Sequence, residues 1–594
     1  MDEGGHDSFQ MALAPRDPEL FAQNMAEVTR LTGELAAAIG PTSNDTVAGF
    51  PLEAAKTFAD VWASLAGNPE AMVRAQSDLW RSYFELWDYS AKRLGKAQAG
   101  TSQPSEPNST EESWSQTPVF DILRQGYLTL GKWARETVAG AEGLQDHTRH
   151  KASFYLEQIL AAVSPTNFLA TNPDLLAQTL EESGENLVRG LEALIRDVKA
   201  GHGELRIRQS DPAAFSLGEN IADTPGGVVY RNHLFELLQY APTTETVRRR
   251  PLLFVPPWIN KYYILDLNRE KSLLRWLVEQ GHTVFMMSWV NPDHRHAALS
   301  FDDYMRDGIY AALDVVRDIC DHAPVDAVGY CIGGTLLSAT LAHMAAEGDD
   351  RIASCTLLTA QVDFTHAGDL KVFIDEEQIR ALERRMAEKG YLDGADMANA
   401  FNMLRPKDLI WRYVVDNYIR GKEPAAFDLL YWNSDSTRLP AANHAFYLRH
   451  CYLNNDLAGG RMVLAGRTID VGDITVPIYS LATREDHIAP ARSVYKGSGL
   501  FGGDTTFVMA GSGHVAGVVN PPYRNKYGFR HGDRGTLSFD EWIDEAEETA
   551  GSWWPHWQNW LAALDDERTD AREVGSEAYS VLDPAPGRYV RETS

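Results

Sequence analysis

Three side chains in this sequence have the types and the order that nucleophilic catalysis requires: Cys331, Asp486 and His514. The first lies in Val328-Gly329-Tyr330-Cys331-Ile332-Gly333-Gly334-Thr335. Glycines two before and two after one nucleophile, between a short strand and a helix, form the nucleophile-elbow pattern, here with Cys in place of Ser. The glycines have a physical reason. So tight a turn strains its central residue, and its neighbours must lack side chains for strand and helix to approach. The helix N-terminus also aims backbone N–H groups and a positive dipole end at the site, which favours a thiolate and a developing oxyanion. A Cys in a glycine-rich segment equally fits a small buried hydrophobe, so the rest of the chain has to decide.

In such a site the acid and then the His follow the nucleophile, each in a loop after a late strand. Asp486 stands in Thr483-Arg484-Glu485-Asp486-His487-Ile488-Ala489-Pro490, directly after the strand-like run Ile478–Leu481. His514 stands in Gly511-Ser512-Gly513-His514, directly after Thr506–Met509. Alone, Asp486 also fits a cap for a helix opening near Pro490, and His514 a structural loop histidine. All three in order and context favour a triad, with Glu485 and His487 as local competitors for the acid and base. For an oxyanion hole, the backbone N–H groups of Ile332 and of Ile259, in Val255-Pro256-Pro257-Trp258-Ile259-Asn260, are the candidates. Gly329, Gly333, His487 and Trp432 are expected to support the site. Asp293-His294-Arg295-His296 invites a metal reading, but no carboxylate or Cys cluster accompanies it at ligand spacing, so a solvated loop and no metal are expected.

The elements that would hold these residues are short β-rich runs at Val228–Tyr230, Pro251–Val255 and Thr283–Met287. They alternate with helical stretches such as Ser272–Glu279 and Tyr304–Cys320. That alternation predicts an α/β fold of the α/β-hydrolase type, a mostly parallel sheet with helices on both faces. It is interrupted at about 364–454 by a helical, aromatic insertion placed where a lid would cover the strand ends. Upstream the periodicity is helical. Residues 1–100 read as a helical extension, with partial disorder left open, 101–113 as a linker, 114–205 as a helical domain and 206–594 as the catalytic domain. Leu79, Trp80, Tyr83 and Trp87 recur at helical spacing, which predicts a packing face, with a surface for a partner as the second reading.

Composition bounds the function. The chain has 594 residues, 44% of them apolar, enough for two or three domains with sizeable cores. Its net charge of −28 argues against non-specific nucleic-acid binding. An anionic substrate would need a local basic patch to offset that field. No apolar run approaches the roughly 20 residues of a membrane span, and the acidic N-terminus lacks signal-peptide character, so the cytoplasm is the expected compartment. Four cysteines without CxxC spacing signal neither a disulfide framework nor zinc.

Gly329-Tyr330-Cys331-Ile332-Gly333-Gly334 resembles the nucleophile box of polyhydroxyalkanoate synthases, most of all class I. The resemblance continues in Ser164-Pro165-Thr166-Asn167-Phe168-Leu169-Ala170-Thr171-Asn172-Pro173, Pro256-Pro257-Trp258-Ile259-Asn260-Lys261-Tyr262-Tyr263 and Ser288-Trp289-Val290-Asn291-Pro292-Asp293. It extends through Phe427-Asp428-Leu429-Leu430-Tyr431-Trp432-Asn433 to Gly551-Ser552-Trp553-Trp554-Pro555, and so covers about Trp114 to the C-terminus. It implies polymerisation of (R)-3-hydroxyacyl-CoA, with 3-hydroxybutyryl-CoA the expected substrate and CoA a product. Cys331 would carry the acyl chain and His514 would take the thiol proton. Asp486 would either orient His514 or activate the substrate hydroxyl. The resemblance further implies a homodimer, a helical cap that opens the site, association with the growing polyester, its granule and granule-associated proteins, and no cofactor. Two rivals remain. One is a thioesterase or polyester depolymerase on the same fold, with water as acceptor. The other is a non-catalytic granule-associated protein, which would be indifferent to loss of Cys331.

Overall fold

Apolar strands assemble one 11-stranded sheet in the computed structural model, which describes residues 14–39, 49–98, 113–115 and 117–593. In chain order its strands are β1 (Gly226–Arg231), β2 (Phe235–Tyr240), β3 (Leu252–Val255), β4 (Val284–Trp289), β5 (Val325–Tyr330) and β6 (Ile352–Leu358). They continue as β7 (Ile478–Thr483), β8 (Thr505–Ala510), β9 (Gly528–His531), β10 (Glu547–Ala550) and β11 (Asp583–Pro584). The spatial order is β10-β9-β8-β7-β6-β5-β3-β4-β2-β1-β11. The run β4-β3-β5-β6-β7-β8 is parallel throughout, and the outer strands pair antiparallel. Helices α8 (Leu273–Glu279), α9 (Ala311–Ile319) and α10 (Ile332–Glu347) connect the parallel strands from β3 to β6.

The central strands are buried on both faces, which explains why they read as apolar runs without alternation. Alternate residues feed two cores: Leu253, Val255, Phe285, Met287, Val325 and Ala327 on one face, and Leu252, Phe254, Val284, Met286, Val328 and Tyr330 on the other. The side-chain period of two does this without any polar face. The expected α/β-hydrolase-type sheet is therefore present.

The chain folds as two compact units: residues up to Asp211 together with Asn402–Ala425, and Pro212–Phe401 together with Ala426–Ser594. The second unit holds the sheet. The first is helical, with α1 (Pro18–Ala38), α2 (Gly49–Gly67), α3 (Pro69–Gln98), α4 (Pro118–Ala139), α5 (Asp146–Ala162), α6 (Pro173–Glu181) and α7 (Glu185–Ala200). Asp17 caps α1 by accepting from the Glu19 and Leu20 N–H groups, and the Asn24 amide donates to the Ser183 carbonyl at 2.9 Å. Helices α3 and α4 are joined where the Trp133 indole donates to the Ala75 carbonyl at 2.9 Å and where Tyr89 and Arg93 meet Asp121 at 2.6 and 2.9 Å.

Two sequence expectations are modified, and a third falls almost wholly outside the described residues. The 364–454 insertion does not pack as one body, because its middle, Asn402–Ala425, belongs to the helical unit. Tyr418 donates to Asp197 Oδ2 at 2.7 Å, the Asn186 amide to the Ile419 carbonyl at 2.9 Å and the Asn417 amide to the Arg208 carbonyl at 2.8 Å. The aromatic stripe is no packing face, since Trp80, Tyr83 and Trp87 are 61%, 55% and 64% exposed. They stand with Phe84 as a cluster of touching rings on the outside of α3. The expected linker 101–113 lies outside the described residues except for Ser113, which is helical.

Candidate active site

β5 ends at Tyr330 and α10 begins at Ile332, so the whole reversal rests on Cys331, at φ 53° and ψ −127°. That backbone region is costly for a residue with a Cβ. Gly329 and Gly333 permit it. A Cβ on Gly329 would lie 2.4 Å from the Gly334 Cα, and one on Gly333 would lie 2.3 Å from the Val255 carbonyl oxygen. Strand, helix and the loop after β3 therefore touch backbone to backbone. Of the four cysteines, Cys320, Cys355 and Cys451 are buried, and burial pushes their thiols up, Cys320 to about 12. Cys331 alone among them is partly exposed.

Asp486 and His514 come from the loops after β7 and β8. Asp486 is buried, and its Oδ1 accepts from the Ile488 and Ala489 N–H groups, both at 2.8 Å. Its Oδ2 accepts from the Thr483 hydroxyl at 3.2 Å and meets His514 Nδ1 at 2.7 Å. The His514 ring stacks on Tyr330, with centroids 5.6 Å apart. The loop that carries it is pinned by two indoles: Trp553 donates to the Gly517 carbonyl at 3.0 Å and Trp554 to the Val518 carbonyl at 2.9 Å. Burial pushes the His514 imidazole down, but the neighbouring Asp486 carboxylate and Cys331 sulfur together hold it well above its ordinary value. The structure thus pairs His514 with Asp486 and places Cys331 close enough to act on the same imidazole.

The local competitors stand apart. Glu485 and His487 are exposed, and Glu485 meets only its neighbour Arg484 at 3.4 Å among the described ion pairs. Ile332 is buried in the first turn of α10. Ile259 is half-buried in the loop after β3, where the Thr437 hydroxyl donates to the Trp258 carbonyl at 2.8 Å and to the Ile259 carbonyl at 2.7 Å. Trp432, in α11 (Asp428–Ser434), is buried and acts on the next stretch of that loop, donating to the Lys261 carbonyl at 2.7 Å. Lys261 in turn pairs with Asp435 at 2.6 Å, while burial holds its ammonium below the ordinary lysine value. Asp293 caps a single turn, with Arg295 and His296 as its own partners. Among the described residues no group of three or more His, Cys, Asp or Glu is placed to hold a metal ion.

Sequence reasoning did not single out a set of rings in the core cluster against which Cys331 packs. Trp258 lies 5.1 Å from Tyr304 and 6.1 Å from Tyr447, centroid to centroid, and Tyr447 lies 5.5 Å from Tyr452. Burial raises the phenols of both Tyr447 and Tyr452, and both rings belong to the core cluster against which Cys331 packs. The aromatic richness of the insertion was the available signal, without a way to say which rings converge.

A parallel sheet carrying a strained turn at Cys331 between strand and helix, with Asp486 and His514 in the loops after β7 and β8, defines an α/β-hydrolase-fold enzyme. Consistent with this, residues 250–521 match the alpha/beta hydrolase fold family, and residues 108–277 match the family described as poly-beta-hydroxybutyrate polymerase (PhaC) N-terminus. The chain is 57% identical to a poly(3-hydroxyalkanoate) polymerase of Methylorubrum extorquens, over 91% of this chain and 90% of that one. It is 52% identical to the poly(3-hydroxyalkanoate) polymerase subunit PhaC of Rhizobium meliloti, over 97% and 95% of the two chains. The corresponding subunit of Cupriavidus necator is 39% identical over 99% and 98%. The chain belongs to the poly(3-hydroxyalkanoate) polymerase family.

Proposed function

We propose that the protein polymerises (R)-3-hydroxyacyl-CoA, with 3-hydroxybutyryl-CoA as its substrate, into polyhydroxyalkanoate with release of CoA. The observation that carries the mechanism is the 2.7 Å His514–Asp486 pair beside a thiol held at the elbow. His514 takes the Cys331 proton, and Sγ attacks the thioester carbonyl carbon. The Ile332 and Ile259 N–H groups receive the oxyanion. As the tetrahedral adduct collapses, the C–S bond to CoA breaks and His514 returns its proton to the departing sulfur. The 3-hydroxyl of a second acyl unit then loses its proton to His514 and attacks the acyl carbon, which forms an ester and frees a thiol. Atoms and charge balance at each step without a metal or redox group.

Both Asp486 oxygens already accept hydrogen bonds. That supports an orienting role on His514 over direct activation of the substrate hydroxyl. The presence of Tyr447 and Tyr452 in the core cluster against which Cys331 packs supports a short acyl side chain. The exposed rings of α3 support contact with the growing polyester and its granule. A cytoplasmic homodimer, working with granule-associated proteins, completes this reading, and no described helix is long and apolar enough to cross a membrane.

The test is CoA release from (R)-3-hydroxybutyryl-CoA, with product analysis, for wild type and Cys331→Ala. The expected result is CoA with insoluble polyester, abolished in the variant. Stoichiometric free 3-hydroxybutyrate would make the protein a hydrolase, and turnover unaffected by Cys331→Ala would remove the proposed nucleophile.

A further inference from the structure

Asn443 is completely buried, and neither its amide nitrogen nor its amide oxygen meets a hydrogen-bond partner among the described residues. An unmated buried amide is costly, and native folds rarely keep one without a use. Asn443 lies in α12 (Ala441–Tyr447), one turn before Tyr447 and on the same face. The chain around it is fastened to Trp258 on both sides, by the Thr437 hydroxyl on the Trp258 carbonyl at 2.8 Å and by the Tyr447 ring at 6.1 Å. Asn443 falls between these two contacts.

Trp258 and its neighbour Tyr304 repeat the anomaly. The Trp258 indole N–H and the Tyr304 hydroxyl are both buried without a partner among the described residues, and their rings are 5.1 Å apart. Tyr304 opens a π-helical stretch, Tyr304–Tyr310, and Tyr452 lies in another, Leu448–Leu453. Such widened turns are unfavourable in themselves and recur at functional sites. The neighbouring rings of Tyr447, Tyr452 and Phe364 pack on one another, with Phe364 4.8 Å from Tyr452 and 6.0 Å from Tyr447. Cys331 packs against the same core cluster.

The unmated groups consist mainly of donors: the amide N–H bonds, the indole N–H and a hydroxyl. Their complement is a ligand with an aliphatic body, regularly spaced carbonyl acceptors and no N–H. A polyester chain meets that description, whereas the pantetheine arm of CoA brings amide donors of its own. We propose that Asn443, with the Trp258 indole and the Tyr304 hydroxyl, binds ester carbonyls of the growing polyester held on Cys331. The inference rests on the polymerase reading above and assigns that site its chain-binding wall.

The test is Asn443→Leu, which keeps the volume and removes the polar atoms. A residue kept for binding and not for folding should gain thermal stability on this change. At the same time the ratio of elongation rate to the rate of the first CoA burst should fall roughly five- to tenfold, the loss of about one hydrogen bond, and the polymer should shorten. In the Cys331→Ala background, binding of the trimeric methyl ester of 3-hydroxybutyrate, read by tryptophan fluorescence, should weaken by a similar factor. A lowered melting temperature would show that Asn443 serves the fold and overturn the inference. So would an unchanged elongation ratio with unchanged trimer affinity, as expected if only water fills the wall. A wild type that makes free acid and no polymer would overturn the polymerase reading by itself, while trimer binding still reports on Asn443.

Discussion

His514 Nδ1 and Asp486 Oδ2 stand 2.7 Å apart, and the carboxylate is fixed on its far side by the Ile488 and Ala489 N–H groups. The histidine is therefore held in one orientation by a group that cannot itself turn. Because the folded protein raises His514 above its unfolded value, the pair contributes stability that is complete below about pH 6.5 and is lost as pH rises through the folded value. Asp486→Asn should cost about 3 kcal/mol near pH 6, and the gap to wild type should narrow toward alkaline pH. Urea unfolding from pH 5.5 to 9 measures it, and a gap that widens with pH would contradict the assignment. Activity should fall about 10³-fold, as when a triad loses its orienting acid.

Cys331, the proposed nucleophile, occupies a strained turn. Cys331→Ala and Cys331→Gly should both abolish CoA release, yet they should differ in stability. Glycine relieves the strain at φ 53° and should leave the protein about 1 kcal/mol more stable than alanine does, after its own backbone entropy is counted. Paired thermal melts decide this. A glycine variant that melts below the alanine variant would show that the turn is unstrained.

The candidate site was legible in the sequence because Cys331, Asp486 and His514 each sit in a local signal: a glycine pattern, or a loop just after an apolar run. The central strands were legible for the same reason. β2 was not. Its Phe235–Tyr240 run contains Glu236 and Gln239, both fully buried, which breaks any apolar pattern. Glu236 pairs with Arg231 on the adjoining strand, and the remaining partners come from far along the chain: Glu236 accepts from the Arg588 and Tyr589 N–H groups, and Gln239 bonds the Glu573 carbonyl and the Gly575 N–H. The wall formed by Trp258, Tyr304 and Tyr447 escaped notice similarly, since long-range packing leaves no periodic trace.

The rings of α3 follow a helical stripe and yet face solvent. Trp80→Gln with Trp87→Gln should therefore change unfolding free energy by no more than about 0.5 kcal/mol, whereas removing buried tryptophans would cost about 3–5 kcal/mol each. Chemical denaturation separates these outcomes. If the exposed face meets the polymer, the same double variant should sediment less with nascent polyester while its rate on soluble substrate holds. Unchanged sedimentation would remove the face from that role.

Gly333 links the two proposed oxyanion donors, because its missing side chain lets the first turn of α10 rest on the loop after β3. A Cβ there would fall 2.3 Å from the Val255 carbonyl oxygen and 2.6 Å from that of Pro256. Both are backbone atoms and cannot rotate aside. Gly333→Ala should thus cost roughly 2–3 kcal/mol and, by separating the Ile332 and Ile259 N–H groups, lower kcat about 10²-fold with little change in KM. Gly348, at the other end of α10 with φ 71° and open space around its Cα, supplies the control. Gly348→Ala should lose about 1 kcal/mol of stability from backbone strain and keep its kcat. Equal kcat values for the two variants would separate the glycine contact from the chemistry, whereas a loss confined to Gly333→Ala would tie the backbone approach at Val255 to stabilisation of the oxyanion.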